Sequence, residues 1–355
     1  MAQEMTNNAL KTLHLDIADC AKWDRAQRAQ WTEKATRQNS SLGGRFGVDK
    51  LFANAGISPD EAYREMEDRT VAILNPAGEF ATLSRLNGVS RAVGIGKLDY
   101  TYRQASNQTG GTVSMSGQTG IITDAVEYKN AGTVIPIIDH GVKRDWREME
   151  TFGADGFDTM VDDNREGTLV VMRTTNSYLW NGDAKIKSPD GRVWLGIKND
   201  PSLAQETTSL DMIDPATTGK QIVDEVSRLR DVLRISNNCA GIVDLGISRE
   251  MMSYWERTPY NQNDVGYGTV LSYIRGLNGI GAVYEDPELT GGQELLMSFF
   301  SLDGFHAVTG QALSSYMKSR FDHNDPYCMI KWMAQGFVSK NTYTGQKCAL
   351  YCKAA

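Results

Sequence analysis

Apolar positions along this chain change their period several times, and each change marks an element. Leu98, Tyr100 and Tyr102 alternate with Lys97, Asp99, Thr101 and Arg103. A period of two predicts a strand. Residues 107–111 carry a turn signal, and Val113 and Met115 then alternate with Thr112, Ser114 and Ser116, predicting a second strand-like piece. A further turn is expected over 117–120, followed by extended pieces at 121–128 and 133–138. The whole stretch is rich in Gly, Ser and Thr and poor in large aliphatics. It reads as a ribbon that buries little of itself. In a lone subunit such a ribbon exposes strand edges and invites aggregation, so it makes sense where subunits cover one another.

The period then lengthens. Phe157, Met160, Val161, Asn164, Thr168, Val171 and Tyr178 recur at helical spacing. They predict a helix over about 157–180, roughly 36 Å long at ~1.5 Å per residue. Gly182 suits a left-handed C-cap, and Gly167 inside the helix is expected to weaken or bend it. Residues 184–300 alternate helix and strand. Thr218 and Gln221 form a capping box ahead of Ile222, Val226, Leu229 and Leu233. A strand is predicted at 240–245, a short helix capped by Ser248, and a buried strand at 295–300. The tail, 327–352, reads as strands around a turn at 342–345.

The first 55 residues lack such a pattern. Residues 21–37 favour helix but are mostly polar, with Trp23 and Trp31 on one face. A Ser/Gly-rich break follows at 39–44. The pattern fits a loosely docked extension and an arm clasping a neighbour equally well. Ser58, Pro59 and Glu61 then predict the start of a helix carrying Tyr63, Met66, Thr70, Ile73 and Leu74.

Composition narrows the function classes. At 355 residues, with 41% hydrophobic and 23% charged residues, the chain resembles an average globular protein and supports a sizeable core. Its 37 basic residues against 44 acidic ones give a net charge of -7, the wrong sign for gripping phosphates tightly. The five cysteines are scattered, and no signal-peptide-like segment precedes them. Free thiols in a reducing cytosol are therefore expected. Cys348 and Cys352 lie four apart, but with His323 and Cys328 they match no zinc-site spacing. No apolar run is long enough to span a membrane.

Candidate chemistry is thin. The histidines at 14, 140, 306 and 323 are dispersed, and no nucleophile elbow or phosphate loop occurs. Gly94-Ile95-Gly96 lacks the third glycine of a dinucleotide fingerprint. Asp158, Asp162 and Glu166 stand at helical spacing and could bind a cation, but a solvated acidic stripe is the better reading. Asp322-His323-Asn324-Asp325 reads as a polar turn. Sequons at Asn39 and Asn107 carry no weight in a cytosolic chain. No catalytic, cofactor-binding or metal residue is assigned, and no cofactor is expected.

The order of elements resembles the Hong Kong ninety-seven type (HK97-like) capsid fold, an α+β fold with an N-terminal arm, an extended β-hairpin loop, a long spine helix, and peripheral and axial domains. Four strings are similar to capsid proteins of the encapsulin-like branch of tailed bacteriophages: Pro59 to Glu67, Val93 to Ser106, Val134 to Asp139 with Trp146-Arg147-Glu148, and Leu179 to Asp183. The resemblance covers the chain from about Ser58 onward. It implies an arm at 1–55, a peripheral-domain start at 56–91, the extended loop at 92–138, spine helix and peripheral domain at 139–183, an axial domain at 184–300 and a peripheral return at 301–355. It implies a major capsid protein, a structural virion component rather than an enzyme. Many copies would assemble in the bacterial cytoplasm as pentamers and hexamers of an icosahedral capsid.

The partners it implies are portal and scaffolding proteins, a cement protein and non-specifically packaged double-stranded DNA, with no membrane. Some relatives weld their shell by a Lys–Asn bond; Lys97, Lys129 and Asn341 are available but align with no such chemistry. An encapsulin nanocompartment shell is the nearest alternative, separable by portal and terminase genes against a cargo enzyme nearby. A soluble α/β enzyme and a tail or baseplate protein stand further off.

Overall fold

The computed structural model describes residues 29, 33, 78–116, 120, 123–154, 159–261 and 268–355. The chain divides into two units, 1–70 and 71–355, and the elements below belong to the second. In the first, Ala29 and Glu33 are helical and exposed. The Trp23/Trp31 face, the helix after Ser58, Cys20, His14, Asn39 and Asp158 lie outside the described residues.

Three sheets organise the second unit. The first has the order β1-β9-β10-β4. Its frame is a hairpin of two 13-residue strands, β9 (Phe305–Met317) and β10 (Tyr327–Ser339). β4 (Ile137–Arg144) runs antiparallel to β10, and the short β1 (Ser90–Ala92) pairs parallel with β9. The second sheet has the order β5-β11-β8-β6-β7: β5 is Ala204–Thr208, β6 Val243–Ile247, β7 Ile280–Glu285, β8 Leu295–Ser298 and β11 Ala349–Ala354. The third is the two-stranded ribbon of β2 (Asp99–Ala105) and β3 (Tyr128–Val134).

Helices flank these sheets. α1 is Ala81–Gly88, α2 Trp146–Ala154 and α3 Thr159–Asn181. α4 is Gly219–Asp231, α5 Arg249–Arg257 and α6 Val270–Arg275. The Thr218–Gln221 capping box is present, and the Ser248 hydroxyl accepts from the Met251 amide, as the residues predict. α3 runs unbroken through Gly167. The reason is packing: a Cβ at Gly167 would lie 3.4 Å from both Val142 and Lys331, so the helix fits closely over β4 and β10 there.

Two large apolar clusters fill the interior. One joins α4, α5 and α6 to the second sheet through Leu229, Leu245, Trp255, Ile274 and Met297. The other gathers Leu83, Trp180, Trp194, Phe305, Phe337 and Tyr351, drawn from both large sheets. α1 is tied to the second sheet by buried polar contacts. The Thr82 amide donates to Asp286 Oδ2 at 3.2 Å, and the Arg85 guanidinium meets Asp244 at 2.6 Å while lying over the Tyr284 ring. Burial holds the Asp286 carboxyl above its usual pKa, with the Thr82 hydroxyl opposing that rise.

Several sequence expectations are corrected. Val113 and Met115 form no strand; the partner of β2 is β3, and residues 106–116 carry no ladder. The extended piece at 133–138 is split, because Pro136 lacks an amide and separates β3 from β4. The strand placed at 240–245 begins at Val243, because the chain first turns at Asn238, whose φ is 52°. The tail does form strands on either side of a turn at 342–345, but β10 belongs to the first sheet and β11 to the second.

The thiols also differ from expectation. Cys239 and Cys348 form a disulfide with Cα atoms 5.4 Å apart, while Cys328 and Cys352 are free. The two halves are 109 residues apart, so spacing gave no hint of the pair. Closing so long a loop restricts the unfolded chain, and a disulfide typically contributes about 2–4 kcal/mol. The double substitution of Cys239 and Cys348 by serine is therefore expected to lower unfolding free energy by about that amount. Urea melts of the oxidised wild type and the variant check this; coincident curves would mean the bond adds nothing.

Candidate assembly surfaces

The ribbon rises from a polar base. Alternation along β2 sets Tyr100 inward, and its register opposite β3 pairs Tyr100 with Thr133 and Tyr102 with Ala131. Arg192 meets Asp99 at 2.6 Å and donates to the Thr101 hydroxyl. The Asn341 amide donates to the Tyr102 hydroxyl at 3.0 Å, and Gln104 donates to the Asn341 carbonyl at 2.9 Å. The Tyr343 hydroxyl donates to Glu127, and the Lys129 ammonium lies 4.1 Å from the Tyr343 ring centre. Residues 339–343 therefore brace both ribbon strands. Lys129 takes part in this brace through its side chain and Asn341 through its backbone.

Beyond the base the ladder ends. The Ser106 amide donates to the Glu127 carbonyl at 2.9 Å, and Thr109 donates through amide and hydroxyl to Asp124. Those donors hold the Asp124 carboxyl below its usual pKa. Past them, Val113 is 97% exposed and Met115 is fully exposed. Two large apolar side chains at the end of a polar ribbon have no partner within the described residues.

A second apolar surface lies at the far end of the β9–β10 hairpin, where Tyr316, Met317 and Phe321 are exposed. The connection there is the polar turn expected from Asp322-His323-Asn324-Asp325. The Phe321 and Asp322 amides donate to Asp325 Oδ2 at 2.9 and 3.0 Å and hold its carboxyl below the usual range. His323 packs edge-on to Trp146. The apolar exposure was not anticipated, because Tyr316, Met317 and Phe321 carry no motif.

No reacting centre emerges from the sequence candidates. Asp162 and Glu166 lie on α3, where the neighbouring Asp163 is the residue that takes a two-point contact from Arg144, at 2.6 and 2.9 Å. Burial pushes the Cys352 thiol up to about 12, so it stays protonated. Among the described residues no group of three His, Cys, Asp or Glu could hold a metal ion, and no helix is long and apolar enough to cross a membrane.

Beneath the ribbon base sits His306, fully buried on β9, edge-on to the Tyr100 ring with centroids 6.1 Å apart. Arg91 lies over the Tyr100 ring and, like Lys340, disfavours a further positive charge. Burial first, and Lys340 second, lower the His306 pKa to about 4 from 6.5. A folded pKa below the unfolded one means stability is intact above pH 6.5 and is lost as pH falls from there to about 4. The loss approaches ~3 kcal/mol at the lower end. His306→Phe is expected to flatten that part of the pH dependence in urea melts from pH 7 to 4. An unchanged slope would assign acid sensitivity elsewhere.

Comparison with known proteins places this geometry. No curated protein sequence matches the chain. Among solved structures, the capsid of Myoviridae phage XM1 superposes with a TM-score of 0.65 at 10% identity, over 85% of this chain and 100% of the other. A chain of Mycobacterium phage Bobi gives 0.58 at 12% identity, over 82% and 95%. The capsid of cyanophage P-SCSP1u gives 0.54 at 13% identity, over 87% and 95%. The fold is the Hong Kong ninety-seven type fold of these phage capsids, as the order of elements suggested. At the level of sequence, a family model matches residues 53–352, and the chain belongs to that family, the family of unknown function DUF6260.

Proposed function

We propose that the chain is the major capsid protein of a tailed bacteriophage, one of many copies forming a closed icosahedral shell around double-stranded DNA. The observation that carries this reading is a fold shared over the whole length of a phage capsid chain. On this reading residues 92–138 are the extended loop, lying across a neighbouring subunit. Residues 139–183 hold the spine helix, 184–300 form the axial domain at five-fold and six-fold axes, and 301–355 return to the peripheral domain. Residues 1–55 serve as the arm. Portal and scaffolding proteins are the partners during assembly in the host cytoplasm.

Function here is association rather than catalysis. Val113 and Met115, bare in one subunit, gain a surface in the next. Each such contact is modest, but a subunit makes many of them at once, and a linked set binds far more tightly than its members. Closed symmetry leaves no edge unsatisfied, which removes the aggregation hazard that the ribbon poses alone. The net charge of -7 suits a wall that encloses DNA without gripping it.

Negative-stain electron microscopy of the purified full-length chain, with light scattering alongside, tests the proposal. Closed shells or five- and six-membered rings are expected. A monomer or dimer at every concentration and salt tried, with added scaffold making no difference, would overturn it.

A further inference from the structure

The end of α4 and the turn leading into β6 enclose a pocket of about 500 Å³. That volume lies within the ~300–1,000 Å³ of small-molecule sites. Arg230, Arg234, Asn238 and Asn278 line it with polar groups, while Leu233 and Val243 behind them are buried in the core. No aspartate or glutamate lines the pocket, although the chain as a whole is acidic.

The walls are held in place. Arg230 donates to the Asn278 carbonyl at 2.9 Å and to Asp231 at 3.0 Å, while its Nε is buried with no partner among the described residues. The Val243 amide donates to the Gly279 carbonyl at 3.0 Å, and Gly279 sits at φ 92°. The Cys239–Cys348 bond fixes the remaining wall. Arg234 is exposed and makes no ion pair among the described residues. A pocket with one half-neutralised guanidinium, one guanidinium outside any ion pair and no carboxylate among its lining residues suits an anion.

We propose that this pocket binds a small phosphate-bearing anion. Arg234 is the principal phosphate contact, because Asp231 already offsets part of the charge on Arg230. A guanidinium matches a phosphate with two parallel hydrogen bonds, which an ammonium does not reproduce. All of these groups come from one chain, so binding does not depend on shells forming.

The test is isothermal titration calorimetry of the full-length protein with dATP, with inorganic triphosphate and with a short single-stranded oligodeoxynucleotide. A dATP dissociation constant on the order of 10–100 μM is expected, corresponding to a modest small-molecule affinity. Inorganic triphosphate should bind about as well, because the phosphates make the contact, and added salt should weaken both. Arg234→Ala should lose at least tenfold for dATP with an unchanged melting temperature, since the side chain is exposed. Arg234→Lys should fall between the two. Unchanged dATP affinity in Arg234→Ala would overturn the proposal. So would the absence of binding by either small anion, or binding of the oligonucleotide alone.

Discussion

Replacing Gly182 with alanine is expected to cost about 2–5 kcal/mol, a large share of the ~5–15 kcal/mol that holds a domain together. Two separate penalties add. Gly182 ends α3 at φ 63°, a left-handed conformation that costs an L-residue about 1–2 kcal/mol. A Cβ there would also sit 2.2 Å from the Leu195 carbonyl carbon and 2.4 Å from the Gly196 nitrogen. Those are backbone atoms, so no side chain can swing aside, and crowding a packed site typically costs a further ~1–3 kcal/mol. The surrounding backbone cannot shift freely either. The Gly182 amide donates to Tyr178, Asp183 to Trp194 and Ile197 to Leu179, at 2.8, 3.1 and 3.0 Å. Moving them would part Trp180 from Trp194 in the core.

Gly196→Ala should behave alike, because its Cβ would meet the Trp180 carbonyl oxygen at 2.4 Å with φ at 84°. Gly191→Ala is the control: φ is 76°, but the space around its Cβ is open. It should cost only the torsional part. Melting curves of the three variants separate the two penalties. If Gly182→Ala melted no lower than Gly191→Ala, the close crossing would carry no energetic weight.

This crossing also shows what the sequence could disclose. Gly182 was legible as a C-cap because Asn181-Gly182-Asp183 follows a helical period, and a cap is a local event. Gly196 was silent, because its conformation answers to a segment fourteen residues earlier. The same division runs through the fold. β2, the capping box at Thr218 and the cap at Ser248 depend on neighbours in the chain and were readable. The Cys239–Cys348 bond, the separation of β10 from β11 into two sheets and the closeness of Gly167 to β4 depend on partners far away. Residues 112–116 misled for a different reason. Alternation normally reports one buried face, but here Val113 and Met115 have no sheet among the described residues to bury against. The period was real and its partner was missing. The candidate site was legible only as this surplus of apolar surface, since an association surface has no fixed residue spacing to detect.

The paired substitution Val113→Asp with Met115→Asp is expected to abolish assembly and leave the subunit folded. Both side chains are essentially fully exposed, so their replacement removes no buried contact among the described residues. Surface changes of this kind fall within about ±0.5 kcal/mol, and the melting temperature of the free subunit should stay within a degree or two. On a neighbour's surface the account reverses. Burying a valine and a methionine contributes roughly 1.5–3 kcal/mol each, and a carboxylate in either place must instead be desolvated or protonated. A shell repeats this loss at every subunit, so a small change per contact becomes the difference between closed particles and none.

Alanine at both positions should give an intermediate result, with shells appearing only at higher protein concentration. Light scattering and electron microscopy at matched concentrations read all three proteins. Normal shells from the double aspartate variant would remove the ribbon tip from assembly and shift the burden to the β9–β10 hairpin end, where Tyr316, Met317 and Phe321 offer the next exposed apolar surface. A melting temperature far below wild type would mean instead that the tip packs within its own subunit, which its exposure argues against.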